Sequence, residues 1–149
     1  MKKVFWIIPA VVFTLDRVTK ILALKIPEEG AVLIPGVIGL RYSENKGIAF
    51  SLLSGAPWLL GILSLALIVG GFLFLRKKTL PDLIWIWLMM MLGGAAGNMI
   101  DRFFTGYVPD MIEFLFVKFA IFNVADAFLC IGCALVILRI LFGKGELPS

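Results

Sequence analysis

Four long apolar stretches, residues 4–24, 57–75, 81–101 and 122–142, leave this chain little choice of fold. Each is 19 to 21 residues long, and a helix of that length, rising ~1.5 Å per residue, spans about the 30 Å of a bilayer's hydrocarbon core. With 61% hydrophobic and only 16% charged residues, and a mean hydropathy of +1.04, the chain lies far outside soluble globular usage. The expectation is an all-α membrane protein with four transmembrane helices. Its 149 residues leave room for one integral-membrane domain, residues 1–149. Lys2 and Lys3 ahead of the first stretch also fit the head of a cleaved signal peptide. No small-x-small cleavage site follows, however, and apolar residues resume after Lys20.

Basic residues set the expected orientation. Lys2 and Lys3 precede the first stretch, Arg76, Lys77 and Lys78 fill the short turn after the second, and Arg139 and Lys144 flank the end of the fourth. The positive-inside rule puts both termini and that turn in the cytoplasm. The longer connections, residues 25–56 and 102–121, then lie outside. Trp6, Trp85 and Trp87 near the inner ends and Trp58 near an outer end read as interfacial anchors. The net charge of +4 is scattered beside apolar stretches, so it marks topology and no nucleic-acid partner is expected.

The first connection is punctuated by Gly and Pro around short runs at 37–42 and 48–53, with an Asn45-Lys46-Gly47 turn between them, which predicts strands or a small sheet resting on the membrane surface. The second, with Asp110-Met111-Ile112-Glu113-Phe114, predicts a short amphipathic interfacial helix.

The sequence has no histidine, which removes imidazole as base or metal ligand. Cys130 and Cys133 form a C-x-x-C within an apolar helix and are expected to pack as small buried residues rather than to bind metal or shuttle electrons. The unusual polar residues instead collect at the outer side: Asp16 and Lys20 in the outer half of the first stretch, Asn98 and Asp101 at the end of the third, and Asn123 and Asp126 at the start of the fourth. A carboxylate near lipid is costly enough to point to function.

Each has an ordinary alternative role. Asp16 and Lys20, at i and i+4, can be a buried ion pair; Arg102 can pair with Asp101 or bind lipid phosphate. Asp126 can cap a helix, Asp110 can shape a turn, and the small residues 93–97 can admit a neighbouring helix. Two carboxylates sharing a poorly hydrated site, however, hold one proton between them. Asp110 and Asp126 could so activate water and protonate a leaving amine. A proton- or ion-coupled transporter using Asp16, Asp101 and Asp126, or a non-enzymatic binding or assembly protein of the membrane with the same pocket, are the competing readings. Neither polar residues toward the cytoplasmic side nor inverted repeats support the transporter.

Five blocks in order, DRVTK at 16–20, NKGIAF at 45–50, GGAAGNMIDR at 93–102, VPDMIEF at 108–114 and FNVADAF at 122–128, resemble those of the lipoprotein signal peptidases, the type II signal peptidases of bacterial plasma membranes. The resemblance covers nearly the whole chain. It implies an aspartic endopeptidase that removes the signal peptide from diacylglyceryl-modified prolipoproteins, cutting just before the lipidated cysteine, with Asp110 and Asp126 as the catalytic dyad. It further implies that Asn98, Asp101, Arg102 and Asn123 orient the dyad and substrate, and that Asp16, Lys20, Asn45 and Gly47 surround the pocket. A sheet-like cradle from the first connection and a short extracytoplasmic helix after Asp110 are implied as well. No cofactor or metal is expected, and the partners expected are the prolipoprotein substrate and membrane lipids, with the chain acting as a monomer.

Overall fold

The computed structural model describes residues 2–47 and 55–142. A 3-10 turn, Lys3–Trp6, leads into α1, Ile7–Ala23; strands β1, Ala31–Ile34, and β2, Ile38–Asn45, follow, then α2, Pro57–Leu75, α3, Asp82–Phe104, strand β3, Val108–Phe114, and α4, Val124–Phe142.

Local chemistry accounts for the ends. Pro57 opens α2 at a first-turn position where the missing N–H costs nothing. Asp82 sits in the first turn of α3, where the free N–H groups favour a carboxylate. α3 continues three residues past the expected end at Asp101. It stops where Gly106 takes a φ of 76° and the N–H groups of Thr105 and Gly106 both donate to Asp101 O, at 2.8 and 3.2 Å. Asn123 caps α4: its Oδ1 accepts from Asp126 N at 2.9 Å, while Asp126 Oδ2 accepts from Asn123 N at 3.2 Å.

α2, α3 and α4 are each long and apolar enough to cross a membrane. α1 has 17 residues and carries Asp16, Arg17 and Lys20. α3 is the central helix, packed against the other three. Its glycines permit this: a Cβ on Gly93 would lie 2.8 Å from Pro9 O of α1, and one on Gly94 would lie 2.5 Å from Ala125 O of α4. The small-residue run therefore serves two neighbours at once.

The sheet is antiparallel in the order β1-β2-β3. β2 contains the expected 37–42 run from Ile38 onward and extends to Asn45; the expected run at 48–53 lies outside the described residues. The short helix expected around Asp110–Phe114 is replaced by β3. There Ile38, Leu40 and Ser43 of β2 pair with Phe114, Ile112 and Asp110, and on its other side Ile112 exchanges hydrogen bonds with Phe122. Both neighbours take up backbone groups that a helix would have satisfied locally, and sequence periodicity could not reveal that distant pairing.

Two other expectations are corrected. Trp85 is not an interfacial anchor but is buried with Phe5 and Met89, whereas Trp6 and Trp58 are exposed. Cys130 and Cys133 face outward; between them it is Gly132 that packs against α3, where a Cβ would lie 2.9 Å from Trp87 O. The interior is divided by polarity. Apolar Phe5, Trp85 and Met89 fill the space beside the first half of α3, while Asp16, Lys20, Asn98, Asp101, Asp110 and Asn123 are buried near its end.

Candidate functional site

Three elements bring the two carboxylates together. β3 carries Asp110 inward, the first turn of α4 carries Asp126, and Asn123, which caps that helix, joins them. Asn123 Nδ2 donates to Asp110 Oδ1 at 2.6 Å, and its Oδ1 is held by the Asp126 N–H. The end of β2 supplies a second donor, Asn45 Nδ2, to Asp110 Oδ2 at 2.9 Å. α3 supplies Asn98 Nδ2 to Asp126 Oδ1 at 2.7 Å. Each carboxylate thus receives an N–H at both oxygens, one oxygen of Asp126 through the backbone of Asn123.

The amides are oriented by what touches their oxygens. Gly47 N donates to Asn45 Oδ1 at 3.1 Å, closing the expected turn, and Asp126 N donates to Asn123 Oδ1. Lys20 Nζ donates to Asn98 Oδ1 at 2.9 Å. In each case a group that can only donate holds the oxygen, so the NH2 end faces a carboxylate.

Behind this layer lies a cluster of four charges. Lys20 Nζ donates to Asp16 Oδ2 at 2.9 Å and to Asp101 Oδ2 at 2.7 Å. Arg17 grips Asp101 through both terminal nitrogens and reaches Asp16 Oδ2 at 2.8 Å. Two cations balance two anions, which is what allows Asp16, Asp101 and Lys20 to be almost wholly buried. Asp16 Oδ1 also accepts from Ala125 N at 3.2 Å, tying α1 to the first turn of α4. Arg102 closes the ring, donating to Asn98 O at 3.3 Å and Gly47 O at 3.4 Å.

All ten residues singled out in the sequence (Asp16, Lys20, Asn45, Gly47, Asn98, Asp101, Arg102, Asp110, Asn123 and Asp126) therefore belong to one connected network. Arg17 belongs to it too and was missed. Its signal was a second cation directly beside Asp16 in a stretch otherwise almost free of charge.

Burial pushes the Asp110 carboxyl up to about 6; the Asp126 charge adds to this, while the Asn45 and Asn123 donors and the Lys20 cation oppose it. A cavity of about 540 Å³ opens between α2, α3 and α4, with Asn98, Arg102 and Asp126 at one end and Leu75, Trp85 and Leu88 toward the other. Asp126 lines it, whereas Asp110 is buried on β3. The arrangement places one carboxylate, Asp126, with the Arg102 cation and the Asn98 amide at the end of an apolar groove, and joins the second carboxylate, Asp110, to the first through Asn123.

The model of the family described as "Signal peptidase (SPase) II" matches residues 8–142. A lipoprotein signal peptidase of Streptococcus thermophilus (strain CNRZ 1066) is 44% identical over 107 residues, covering 70% of this chain and 69% of that protein. One of Halalkalibacterium halodurans is 36% identical over 143 residues, covering 93% and 92%. A solved structure of a bacterial membrane enzyme at 2.3 Å resolution superposes with a TM-score of 0.85 at 30% identity, covering 98% of this chain and 94% of that one. With the matched region running from α1 to the end of α4, this chain belongs to the signal peptidase II family, a family of membrane proteases.

Proposed function

We propose that this chain is an aspartic endopeptidase that removes the signal peptide from diacylglyceryl-modified prolipoproteins, cutting just before the lipidated cysteine with water activated by Asp110 and Asp126. The observation that carries the proposal is the Asn123 side chain joining two carboxylates at the end of an apolar groove.

In this reading the pair begins with one proton. Asp110 and Asp126 with one shared proton carry a single negative charge, which the nearby Arg102 cation balances. The ionised carboxyl takes a proton from water as the water oxygen bonds to the scissile carbonyl carbon. The protonated carboxyl gives its proton to the carbonyl oxygen, leaving a neutral tetrahedral diol. A carboxyl then protonates the amide nitrogen, the C–N bond breaks, and the other carboxyl recovers a proton from the diol. One water is consumed, the signal peptide leaves with a carboxyl terminus, the lipidated cysteine leaves with a free amine, and the pair returns to one proton. The pair titrates as a unit, so base and acid are roles of the dyad.

The apolar groove suits a substrate arriving within the membrane, with its acyl chains against the helices and its scissile amide among the polar groups. α1 is taken as the fourth span, with both termini cytoplasmic and the sheet and carboxylates at the outer leaflet, as the basic residues direct. The domain then runs through residues 1–149 as one unit and acts as a monomer.

The test is cleavage of a diacylglyceryl-modified prolipoprotein by purified protein in detergent with excess chelator. Wild type is expected to cut before the lipidated cysteine. Asp110→Asn and Asp126→Asn, folded and still binding substrate, are each expected to lose turnover by roughly 10²–10⁴-fold, the scale of general acid–base catalysis. Near-normal turnover in either variant, or loss of wild-type activity to chelator, overturns the dyad.

A further inference from the structure

An asparagine amide has two ends of nearly equal shape and opposite hydrogen-bonding sense. For Asn45 and Asn123 a backbone N–H decides which end faces its carboxylate, Gly47 N at 3.1 Å and Asp126 N at 2.9 Å. For Asn98 the nearest deciding donor is a side chain, Lys20 Nζ at 2.9 Å. Asn123 Nδ2 also reaches Asn98 Oδ1, at 3.3 Å, but makes its shorter bond to Asp110, at 2.6 Å.

We propose that Lys20 is a positioning residue that holds the NH2 of Asn98 toward Asp126. The proposal rests on the reading of Asp110 and Asp126 as a hydrolytic pair, and Lys20 acts on that pair through Asn98 without touching substrate.

The ammonium is suited to this. Its three N–H bonds meet three acceptors, Asp16 Oδ2, Asp101 Oδ2 and Asn98 Oδ1, so it has no spare bond with which to turn away. Two of those bonds neutralise the buried cluster together with Arg17; the third leaves the cluster and ends on the amide that touches Asp126. Reversing Asn98 would set its NH2 against the ammonium and its oxygen against the carboxylate, two mismatches at once. Without Lys20 only the longer Asn123 contact holds the amide oxygen, and the Asp126 carboxylate resists reversal only while it is ionised. Asn98 could then offer its oxygen to a protonated Asp126, trapping the shared proton on the carboxyl that lines the groove. The charged and titratable groups facing Asp126 are Lys20 from α1, Arg102 from α3 and Asp110 from β3. Removing Lys20 thus changes one of three.

Lys20→Met alone leaves Asp16 and Asp101 against Arg17 and can fail to fold for that reason. The deciding variant is Asp16→Asn/Lys20→Met, which keeps the cluster neutral. Its melting temperature in detergent is expected within a few degrees of wild type. Its kcat is expected to fall about tenfold or more, with KM within about twofold, because the lost interaction serves the reaction and not binding. The acid limb of its kcat–pH profile is expected to move to higher pH, since the pair has lost a donor and gained an acceptor.

Lys20→Arg, which retains the charge and an N–H for Asn98, is the second variant and is expected to keep the wild-type profile. A folded double variant with wild-type kcat and profile overturns the proposal. So does one that merely melts early while its folded fraction turns over normally, or a folded Lys20→Arg with a displaced profile. If Asp110→Asn or Asp126→Asn remains active in the same assay, it is the underlying dyad that fails.

Discussion

At the residue scale, Asn123 shows how one side chain serves structure and chemistry at once. Its oxygen caps α4 and its NH2 holds Asp110, and the two roles are separable. Asn123→Ser keeps a capping oxygen but cannot reach Asp110, whose buried Oδ1 then lacks its donor, so stability is expected to fall by about 1–3 kcal/mol while turnover falls about tenfold or more. Asn123→Ala loses the cap as well and is expected to cost about a further 1 kcal/mol. Chemical denaturation and initial rates on the same samples decide; equal stability of the two variants contradicts the cap. Asp110 makes a prediction about pH. Its carboxyl sits at about 6 against an ordinary 3.8, so the folded state holds the proton more tightly than the unfolded chain. The Asp110 contribution to stability therefore falls as pH rises from about 4 through about 6, by roughly 3 kcal/mol in all, and levels off above that. Asp110→Asn has no proton to lose. Its stability relative to wild type should climb through that window, read as a slope because the new NH2 also faces one of Asp110's donors at every pH. Parallel melting curves from pH 4.5 to 7.5 would contradict this. Asp110, Asp126, Asn98 and Asn123 were legible because polar residues stand out in apolar surroundings. Arg17 stood out by charge as well, but its role did not, because the partner it grips, Asp101, lies 84 residues later.

At the scale of elements, the site is held by how closely α3 meets its neighbours. Gly94 faces Ala125 O, immediately before Asp126, so a Cβ 2.5 Å from that oxygen must push the first turn of α4 away from Asn98. Gly94→Ala is expected to cost about 1–3 kcal/mol by overpacking. It should also reduce kcat, because the Asn98–Asp126 bond at 2.7 Å spans the same two helices. A variant of wild-type stability and rate would show that α4 moves there freely. The ends of α2 were readable to the residue, since Pro57 starts it and Arg76 follows it. The end of α3 was not, because Asp101 and Arg102 looked like a water boundary, although partners on α1, α3 and the Gly47 turn let the helix carry them inward. The strand at Val108–Phe114 was misread as a helix for a related reason. Its alternation is short and its partner, β2, lies more than 60 residues earlier. The outward face of Cys130 and Cys133 was equally hidden, because small apolar residues fit a lipid-facing and a packed surface alike.

At the scale of the whole molecule, polarity is inverted: carboxylates and amides lie inside and large apolar side chains outside, with Leu67, Phe74 and Phe142 among the most exposed. This much followed from four apolar stretches, because a bilayer rewards it. The surface pattern extends beyond the helices. Val32 and Leu33 of β1 are 65% and 61% exposed, and Phe116 and Phe119, just after β3, are 66% and 61% exposed. Leu115 N donates to Val37 O at 3.0 Å, so the hairpin tip and this segment sit side by side. Such apolar surface is unfavourable in water by ~1.5–3 kcal/mol for each fully transferred side chain. On the proposed orientation it enters the outer leaflet and holds the sheet, with Asn45 and Asp110, at the depth where a lipidated cysteine presents its amide. Leu33→Ser/Phe116→Ser leaves the hydrogen-bond network intact. It is expected to raise KM for the lipidated substrate several-fold in liposomes, where depth matters, and to change little in detergent micelles, which adapt their shape to the protein. An equal effect in both would assign these side chains to substrate contact or to the fold, and no effect in liposomes would mean that the transmembrane helices alone set the depth of the site.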